Sequence, residues 1–247
     1  KRNKGFLEKY LDYIDWRIDK GKTLEFLKLK KEGYHISTYR KMLLQIRKFL
    51  VYLDVEWARH INTPPEPYYT PKRVTHEDIQ ETLKCVSKHG LRYVALTLLG
   101  ASSGMRAEEM YQLNLGDIDL DNRTIRIRHN PRNGQTTKTG KSRIAFFNAE
   151  TQLALQEFIK TFNENKKMKY LFLKKDCEIV FHDASIKVKD LRKFFSQKWD
   201  RRGGPTGIKK ILMGHSLRGD VDLMHYNYQS EEDLKKIYDK VGIKIEI

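Results

Sequence analysis

The sequence has 247 residues, of which 39% are hydrophobic and 32% charged, a balance typical of a globular chain with room for two modest domains. No apolar run approaches the roughly 20 residues that span a bilayer, and no signal-peptide pattern opens the chain. We therefore expect no membrane partner. The two cysteines, Cys85 and Cys177, lie far apart with no CxxC pairing. They exclude a zinc ribbon or a disulfide framework and favour a reducing, cytoplasmic compartment.

The net charge is strongly positive, at +16 from 48 basic and 32 acidic residues. Residues 1–71 hold 15 Lys and Arg against 9 Asp and Glu, so the excess is spread over both halves of the chain. A charge of this size predicts a polyanionic partner that both halves contact, with binding that depends steeply on salt. The Lys- and Glu-rich surface of a heat-adapted protein would explain the density of charge but not its positive excess. Nucleic acid is therefore the favoured partner.

A proline-rich stretch divides the chain, because four of the six prolines fall within residues 64–71. Proline fixes φ and stops helices, so this stretch predicts an extended linker. We predict an N-terminal domain over residues 1–62, a linker over 63–74 and a C-terminal domain over 75–247.

The N-terminal domain shows helical periodicity in two stretches that Gly33 separates. The repeating apolar residues are Phe6, Tyr10, Tyr13 and Ile14 in the first stretch, and Met42, Ile46, Phe49, Leu50 and Leu53 in the second. The opposite face of the second stretch carries Arg40, Lys41, Arg47 and Lys48. These four are candidate phosphate contacts, although an ordinary solvated helix face explains each of them equally well.

The C-terminal domain alternates helices with a small sheet. Helical patterns cover residues 75–88, 91–99, 106–113, 149–163, 185–200, 205–215 and 231–241, the second of them ending near Gly100. Residues 124–128 and 143–147 alternate apolar and polar side chains around a turn-rich stretch, as part of a three-strand signature. Residues 242–247 alternate like another short strand, and we expect residues 243–247 to pack on a neighbouring protomer. The predicted fold class is mainly α with a small antiparallel β-sheet (α+β).

Several short motifs carry residues suited to chemistry on a phosphate. In chain order they are Ser103-Gly-Met-Arg106-Ala-Glu-Glu109, Thr137-Lys138-Thr-Gly-Lys141 ahead of Arg143, Lys189-Asp-Leu-Arg192, Met213-Gly-His215-Ser216 and His225-Tyr226-Asn-Tyr228. Arginine binds phosphate oxygens through two donors, histidine exchanges protons near neutral pH, and tyrosine supplies a nucleophilic oxygen. Each motif is only a few residues long and is weak evidence alone, so the prediction depends on all of them occurring in this order.

In this order the motifs resemble those of the tyrosine recombinase (integrase) family, and they look most like integrases of archaeal viruses and plasmids. The resemblance covers about residues 73–240. It implies a helical N-terminal DNA-clamp domain and a catalytic domain that cleaves and rejoins DNA through a 3′-phosphotyrosyl intermediate. It also implies double-stranded DNA as the substrate and a homo-tetramer on two DNA sites, with no cofactor, metal or ATP.

The resemblance assigns roles residue by residue. Arg106 and Arg192 would clamp the scissile phosphate, Glu109 would orient the site, and His215 would bond the phosphate or assist the nucleophile's proton. Lys189 stands where the family most often has histidine. It can donate to a phosphate oxygen but cannot act as a neutral acceptor near pH 7.

Two positions leave alternatives open. Lys138 lies five residues before Arg143 and matches the family's hairpin lysine, which protonates the leaving oxygen, while Lys141 is its rival on the same turn. We also count Lys141 and Arg143 as candidate DNA contacts. Tyr226 is the favoured nucleophile over Tyr228, given a two-residue insertion after His215.

Two other classes of function remain possible at the level of sequence. The chain could be a non-catalytic DNA-binding protein that retains the fold. It could also be a type IB topoisomerase-like enzyme, which shares the chemistry but works as a monomer on one duplex. In a non-catalytic DNA-binding protein, a change of Tyr226 to phenylalanine would change nothing measurable. Junction formation between two duplexes would distinguish a recombinase from a topoisomerase-like enzyme.

Overall fold

The computed structural model describes residues 2–163, 169–216 and 229–245. The chain divides into two compact units, Lys1–Pro71 and Lys72–Ile247. Tyr226 and Tyr228 lie outside the described residues. No helix of the described part is long and apolar enough to cross a bilayer.

The described part of the first unit contains three α-helices: α1 (Arg2–Tyr13), α2 (Lys20–Gly33) and α3 (Ile36–Tyr52). The sequence patterns predicted only two helical stretches, so the separation of α1 from α2 was missed. Asp15 and Trp16 adopt positive φ angles of 52° and 57°, which end α1. Asp19 then caps α2, because its carboxylate accepts the Lys22 N–H at 2.7 Å.

The core of the first unit joins these three helices. The largest buried side chains there include Tyr10, Phe26 and Met42, and the Tyr10 hydroxyl bonds the Thr23 hydroxyl at 2.8 Å. This bond gives the buried phenol its polar partner, as a buried hydroxyl requires.

Two of the four predicted phosphate contacts on α3 donate hydrogen bonds to other residues of the same unit. Arg40 Nε donates to the Pro64 carbonyl at 3.0 Å. The Arg47 guanidinium donates to the Arg59 carbonyl at 2.8 Å and to the Thr63 hydroxyl at 3.3 Å. These bonds attach the start of the proline-rich stretch to α3. Lys41 and Lys48, by contrast, are exposed.

The described part of the second unit contains eight α-helices and one sheet. The helices are α4 (His76–Val86), α5 (Leu91–Ser103), α6 (Ala107–Met110), α7 (Ala149–Asn163), α8 (Lys174–Val180), α9 (Val188–Arg201), α10 (Thr206–Met213) and α11 (Glu231–Val241). The strands β1 (Ile118–Asp119), β2 (Thr124–Ile127) and β3 (Arg143–Phe146) form an antiparallel sheet in that order. Ile125 pairs with Ala145 in its centre. The predicted α+β fold class is confirmed.

Helix α5 continues three residues beyond the predicted end at Gly100. It stops at Gly104, whose φ of 65° is left-handed, as expected of a glycine at a helix C-terminus. Gly100 has a packing role instead, because a Cβ atom there would lie 2.7 Å from Leu191 Cδ1. Its missing side chain lets α5 and α9 approach closely.

The C-terminal tail packs on its own unit, so the prediction that it packs on a neighbouring protomer is wrong for its described part, residues 242–245. These residues form no strand, and Ile243 and Ile245 are 2% and 0% exposed. Asn148 Nδ2 donates to the Ile243 carbonyl at 3.0 Å, and the Ile245 N–H donates to the Glu150 carboxylate at 2.8 Å. The Ile243 carbonyl and the Ile245 N–H therefore have side-chain partners in place of a neighbouring strand.

We predict that Gly100→Ala destabilises the protein by about 1–3 kcal/mol, because the added methyl group forces α5 away from Leu191 on α9. Urea unfolding followed by circular dichroism measures the change. Gly116→Ala is the matched control, since a Cβ atom there meets nothing within 4 Å, and it should change stability by less than about 0.5 kcal/mol. Equal stability of both variants would contradict the close crossing.

Candidate active site

The C-terminal end of α10 is the framework of the site. Gly214 has a φ of 64°, and its N–H donates to the Ile211 carbonyl at 2.9 Å. The His215 N–H donates to the Lys210 carbonyl at 2.9 Å. This pair of bonds is a Schellman motif, which uses two of the carbonyls that a helix end leaves open. The carbonyls of residues 212–214 remain available to other donors.

Three arginines, from three parts of the chain, take these carbonyls. The oxygens of residues 212, 213 and 214 accept hydrogen bonds from Arg143 Nε at 2.9 Å, Arg192 Nη1 at 2.8 Å and Arg106 Nη2 at 2.8 Å, in that order. Cations are favourable at a helix C-terminus, where the backbone dipoles leave partial negative charge. The helix end therefore gathers three guanidinium groups in one place.

Glu109 lies between two of these arginines and is 4% exposed. Arg143 forms a two-point contact with it, at 2.9 and 2.7 Å, and Arg106 Nη1 donates to it at 2.9 Å. Burial alone would raise the pKa of the Glu109 carboxyl, but the hydrogen bonds and charges of Arg143 and Arg106 together lower it. Glu109 is thus held as a carboxylate that orients both arginines.

The α6 helix sets the position of Arg106. Arg106 precedes the first residue of that helix, and its backbone N–H donates to the Glu109 carboxylate at 2.9 Å. Glu109 is the third residue of the helix, so the bond reaches back to the residue that starts it, as in a capping box. The spacing of three between Arg106 and Glu109 in the sequence has this physical basis.

Arg192 on α9 joins the helix end to the turn before α6. Its Nη1 also donates to the Gly104 carbonyl at 2.8 Å. Gly104 cannot carry a side chain, because a Cβ atom there would lie 2.3 Å from the Phe195 ring. Burial, followed by the charge of Arg106, lowers the pKa of Arg192 to about 10. No described residue accepts from its Nε and Nη2 donors, so these can serve a bound anion.

His215 follows the Schellman glycine, and its backbone N–H is fixed by the bond to the Lys210 carbonyl. Partial burial lowers the pKa of its imidazole, and the charges of Arg192 and Arg106 lower it further. The ring is therefore neutral at pH 7 and able to accept a proton.

The three candidate lysines are all exposed. Lys138 and Lys141 are exposed on the turn between β2 and β3, and Lys189 is exposed on α9. Among the described residues, no hydrogen bond or ion pair joins them to the arginines. The structure thus brings together Arg106, Glu109, Arg143, Arg192 and His215 from the sequence-based candidates.

Arg143 has a different place from the one the sequence suggested. We expected it to be a DNA contact, yet its side chain is 10% exposed and bonds Glu109 and the Leu212 carbonyl. A Cβ atom on Gly214 would lie 2.8 Å from the Arg143 guanidinium carbon. We therefore revise its role to that of a residue that holds the other arginines in place. Its position at the start of β3 gave no sign of this, since both partners are distant in sequence.

We predict that Arg143→Gln costs on the order of 3 kcal/mol of stability, because it removes one partner of a buried ion pair. Urea unfolding measures the loss. Arg126→Gln on β2 is the matched control, as Arg126 is exposed, and it should change stability by less than about 0.5 kcal/mol. A loss as small as the control's would contradict the role of Arg143.

We predict that His215 titrates with a midpoint below the ordinary value of about 6.5 in phosphate-free buffer. Inorganic phosphate bound among the arginines adds negative charge and should raise this midpoint, as should Arg192→Gln. The lowered pKa also means that folding stability falls as the pH drops below about 6.5, since the unfolded chain then binds more protons. Proton NMR measures the titration, with His215→Gln to assign the signal; a midpoint at or above the ordinary value would contradict the prediction.

Comparison with known proteins agrees with the order of the motifs. Residues 72–236 match the model of the phage integrase family. Tyrosine recombinase XerC of Histophilus somni is 26% identical over 221 residues, which are 86% of this chain and 68% of that protein. Tyrosine recombinase XerA of Saccharolobus solfataricus is 29% identical over 218 residues, 85% of this chain and 69% of that protein.

Solved structures share the fold. The XerH site-specific recombinase bound to its difH substrate has a TM-score of 0.59 at 19% identity, covering 94% of this chain and 75% of that one. The Tn1549 transposon integrase in complex with circular intermediate DNA has a TM-score of 0.59 at 15% identity, covering 87% and 83%. Since the family model matches more than half of its residues, this chain belongs to the phage integrase family of tyrosine recombinases.

Proposed function

We propose that this chain is a site-specific DNA recombinase that cleaves and rejoins strands through a 3′-phosphotyrosyl intermediate. One observation carries the proposal: Arg106, Arg192 and His215 converge at the end of α10, with Glu109 as the acidic partner. With Arg143 included, three guanidinium charges face one carboxylate, and the excess positive charge suits a phosphodiester. The family relatives support this choice among anions, because they are named as tyrosine recombinases.

In the proposed cleavage step, the Tyr226 oxygen attacks the scissile phosphorus and the bond to the 5′ oxygen breaks. Neutral His215 accepts the phenol proton. Arg106 and Arg192 bind the non-bridging oxygens as negative charge grows on them, and Lys189 donates to a phosphate oxygen. Lys138, with Lys141 as its rival, gives a proton to the leaving 5′ oxygen. The products are a 3′-phosphotyrosyl strand and a free 5′-hydroxyl.

Rejoining reverses these steps. A 5′-hydroxyl of the partner strand attacks the phosphotyrosyl phosphorus and releases the tyrosine. The phosphodiester is replaced by another phosphate ester and then restored, so the cycle needs no ATP.

The wider assembly is part of the same proposal. The first unit would act as a clamp on double-stranded DNA, with Lys41 and Lys48 as phosphate contacts, and the second unit would be the catalytic domain. Four protomers on two duplexes would complete an exchange. Two observations support DNA as the partner: the net charge of +16 and the solved XerH complex with its difH substrate.

We predict that wild-type protein forms a covalent adduct with a nicked DNA duplex, visible on a denaturing gel, and that Tyr226→Phe abolishes it. The phenyl ring keeps the shape of the side chain but lacks the nucleophilic oxygen. Tyr228→Phe is the matched control and should retain the adduct.

Each other outcome has a definite meaning. Loss of the adduct only with Tyr228→Phe would move the nucleophile to that residue. No adduct from wild type, on DNA that it binds, would contradict the proposal and favour a non-catalytic binding protein. Adducts without Holliday junctions between two marked duplexes would favour a topoisomerase-like enzyme.

A further inference from the structure

The turn that carries Lys138 is built on a buried residue. Thr137 is 8% exposed, and its carbonyl accepts the Gly140 N–H at 3.2 Å, which closes a four-residue turn. The Thr137 hydroxyl donates to the Lys141 carbonyl at 3.0 Å. Both candidate lysines therefore stand on a turn whose backbone is fixed through Thr137.

The chain that leads into this turn is attached to the segment that follows α6. Gln135 is buried, and its Nε2 donates to the Gln112 carbonyl at 3.2 Å and to the Asp117 carboxylate at 2.7 Å. The Thr136 N–H donates to the Gln112 side chain at 2.5 Å. Gln112 lies just after α6, the helix that holds Glu109. The N-terminal side of the turn is thus fixed relative to Arg106.

His129, two residues beyond β2, completes the attachment. Its ring Nδ1 accepts the Thr137 backbone N–H at 3.1 Å, and its backbone N–H donates to the Ser142 hydroxyl at 2.9 Å. One half-buried residue therefore holds the turn both before and after its lysines. A ring that accepts at Nδ1 carries its proton on Nε2, so the bond requires the neutral imidazole.

We propose that His129 is a positioning residue, which holds the turn so that the Lys138 ammonium reaches the leaving 5′ oxygen. The proposal rests on the proposed function, in which Lys138 is the general acid. Without the Nδ1 acceptor, the Thr137 N–H loses its partner and the backbone next to Lys138 can move. A displaced ammonium group gives up the advantage of proton transfer within a fixed geometry.

The test compares two leaving groups on otherwise identical nicked duplexes. One duplex has the normal 5′ oxygen at the scissile bond, and the other has a bridging 5′ sulfur. A thiol is a much stronger acid than an alcohol, so the sulfur leaves as a thiolate without receiving a proton. Loss of general-acid catalysis therefore slows cleavage of the oxygen duplex and spares the sulfur duplex, whereas general damage to the site slows both.

We predict that His129→Ala slows adduct formation on the oxygen duplex by about 10- to 100-fold, within the range that general acids contribute, and leaves the sulfur duplex within about threefold of wild type. Lys138→Ala should show the same pattern more strongly. His129→Asn should recover most of the rate, because its Oδ1 can accept the Thr137 N–H. His182→Ala, at an exposed histidine in the same unit, is the matched control and should change neither rate.

Three results would overturn the inference alone: equal slowing of both duplexes by His129→Ala, no slowing of the oxygen duplex, or no recovery with His129→Asn. A leaving-group effect for Lys141→Ala and not for Lys138→Ala would overturn it as stated for Lys138. Failure of wild type to form an adduct on either duplex would instead overturn the proposed function, and the inference with it. The wild-type lanes therefore separate the two failures.

Discussion

The capture of three backbone carbonyls at the end of α10 by three arginines is the constraint on which the site depends. Each arginine comes from a different place: Arg106 from the start of α6, Arg143 from the start of β3 and Arg192 from α9. A helix end presents its carbonyls in a fixed geometry, so it sets the guanidinium positions more firmly than mobile side-chain partners would. The Schellman turn also fixes the backbone of His215, which places the histidine beside the arginines.

The charges in this cluster are only partly balanced. Glu109 neutralises one positive charge and the carbonyl dipoles reduce the repulsion among the rest, yet burial still lowers the pKa of Arg192 to about 10 and that of His215 below its ordinary value. Groups that are shifted in this way gain stability when an anion arrives. Under the proposed function, the site is organised for a phosphate before any DNA is bound, which is what electrostatic catalysis requires.

Close backbone contacts make this organisation possible. The α5–α9 crossing at Gly100 brings Arg192 against the turn at Gly104. Neither Gly100 nor Gly104 has space for a side chain. The hairpin adds a second attachment through Gln135 and Gln112, which ties the lysine-bearing turn to α6. The segment from Arg106 to Gln112, which contains α6, therefore connects the arginine site with the lysine-bearing turn.

The sequence by itself determined the local features of this protein. Apolar periodicity predicted α7 and α11, alternation predicted β2 and β3, and the order of the motifs identified the family. The same local patterns placed the end of α5 at Gly100, because a glycine that stops a helix and one that permits a close crossing look alike in sequence. They also missed the break between α1 and α2, which positive φ angles at Asp15 and Trp16 create without a glycine or a proline.

Only the tertiary structure decided which groups meet. Arg143 contacts Glu109 across 34 positions and Leu212 across 69, and Ile243 meets Asn148 across 95. Such contacts depend on how whole helices pack, and local periodicity holds no information about them. The sequence could therefore name the residues suited to phosphate chemistry. The packing of α5, α9 and α10 decided that Arg143 supports the site from within, and the bonds from Asn148 and Glu150 decided that the tail stays with its own chain.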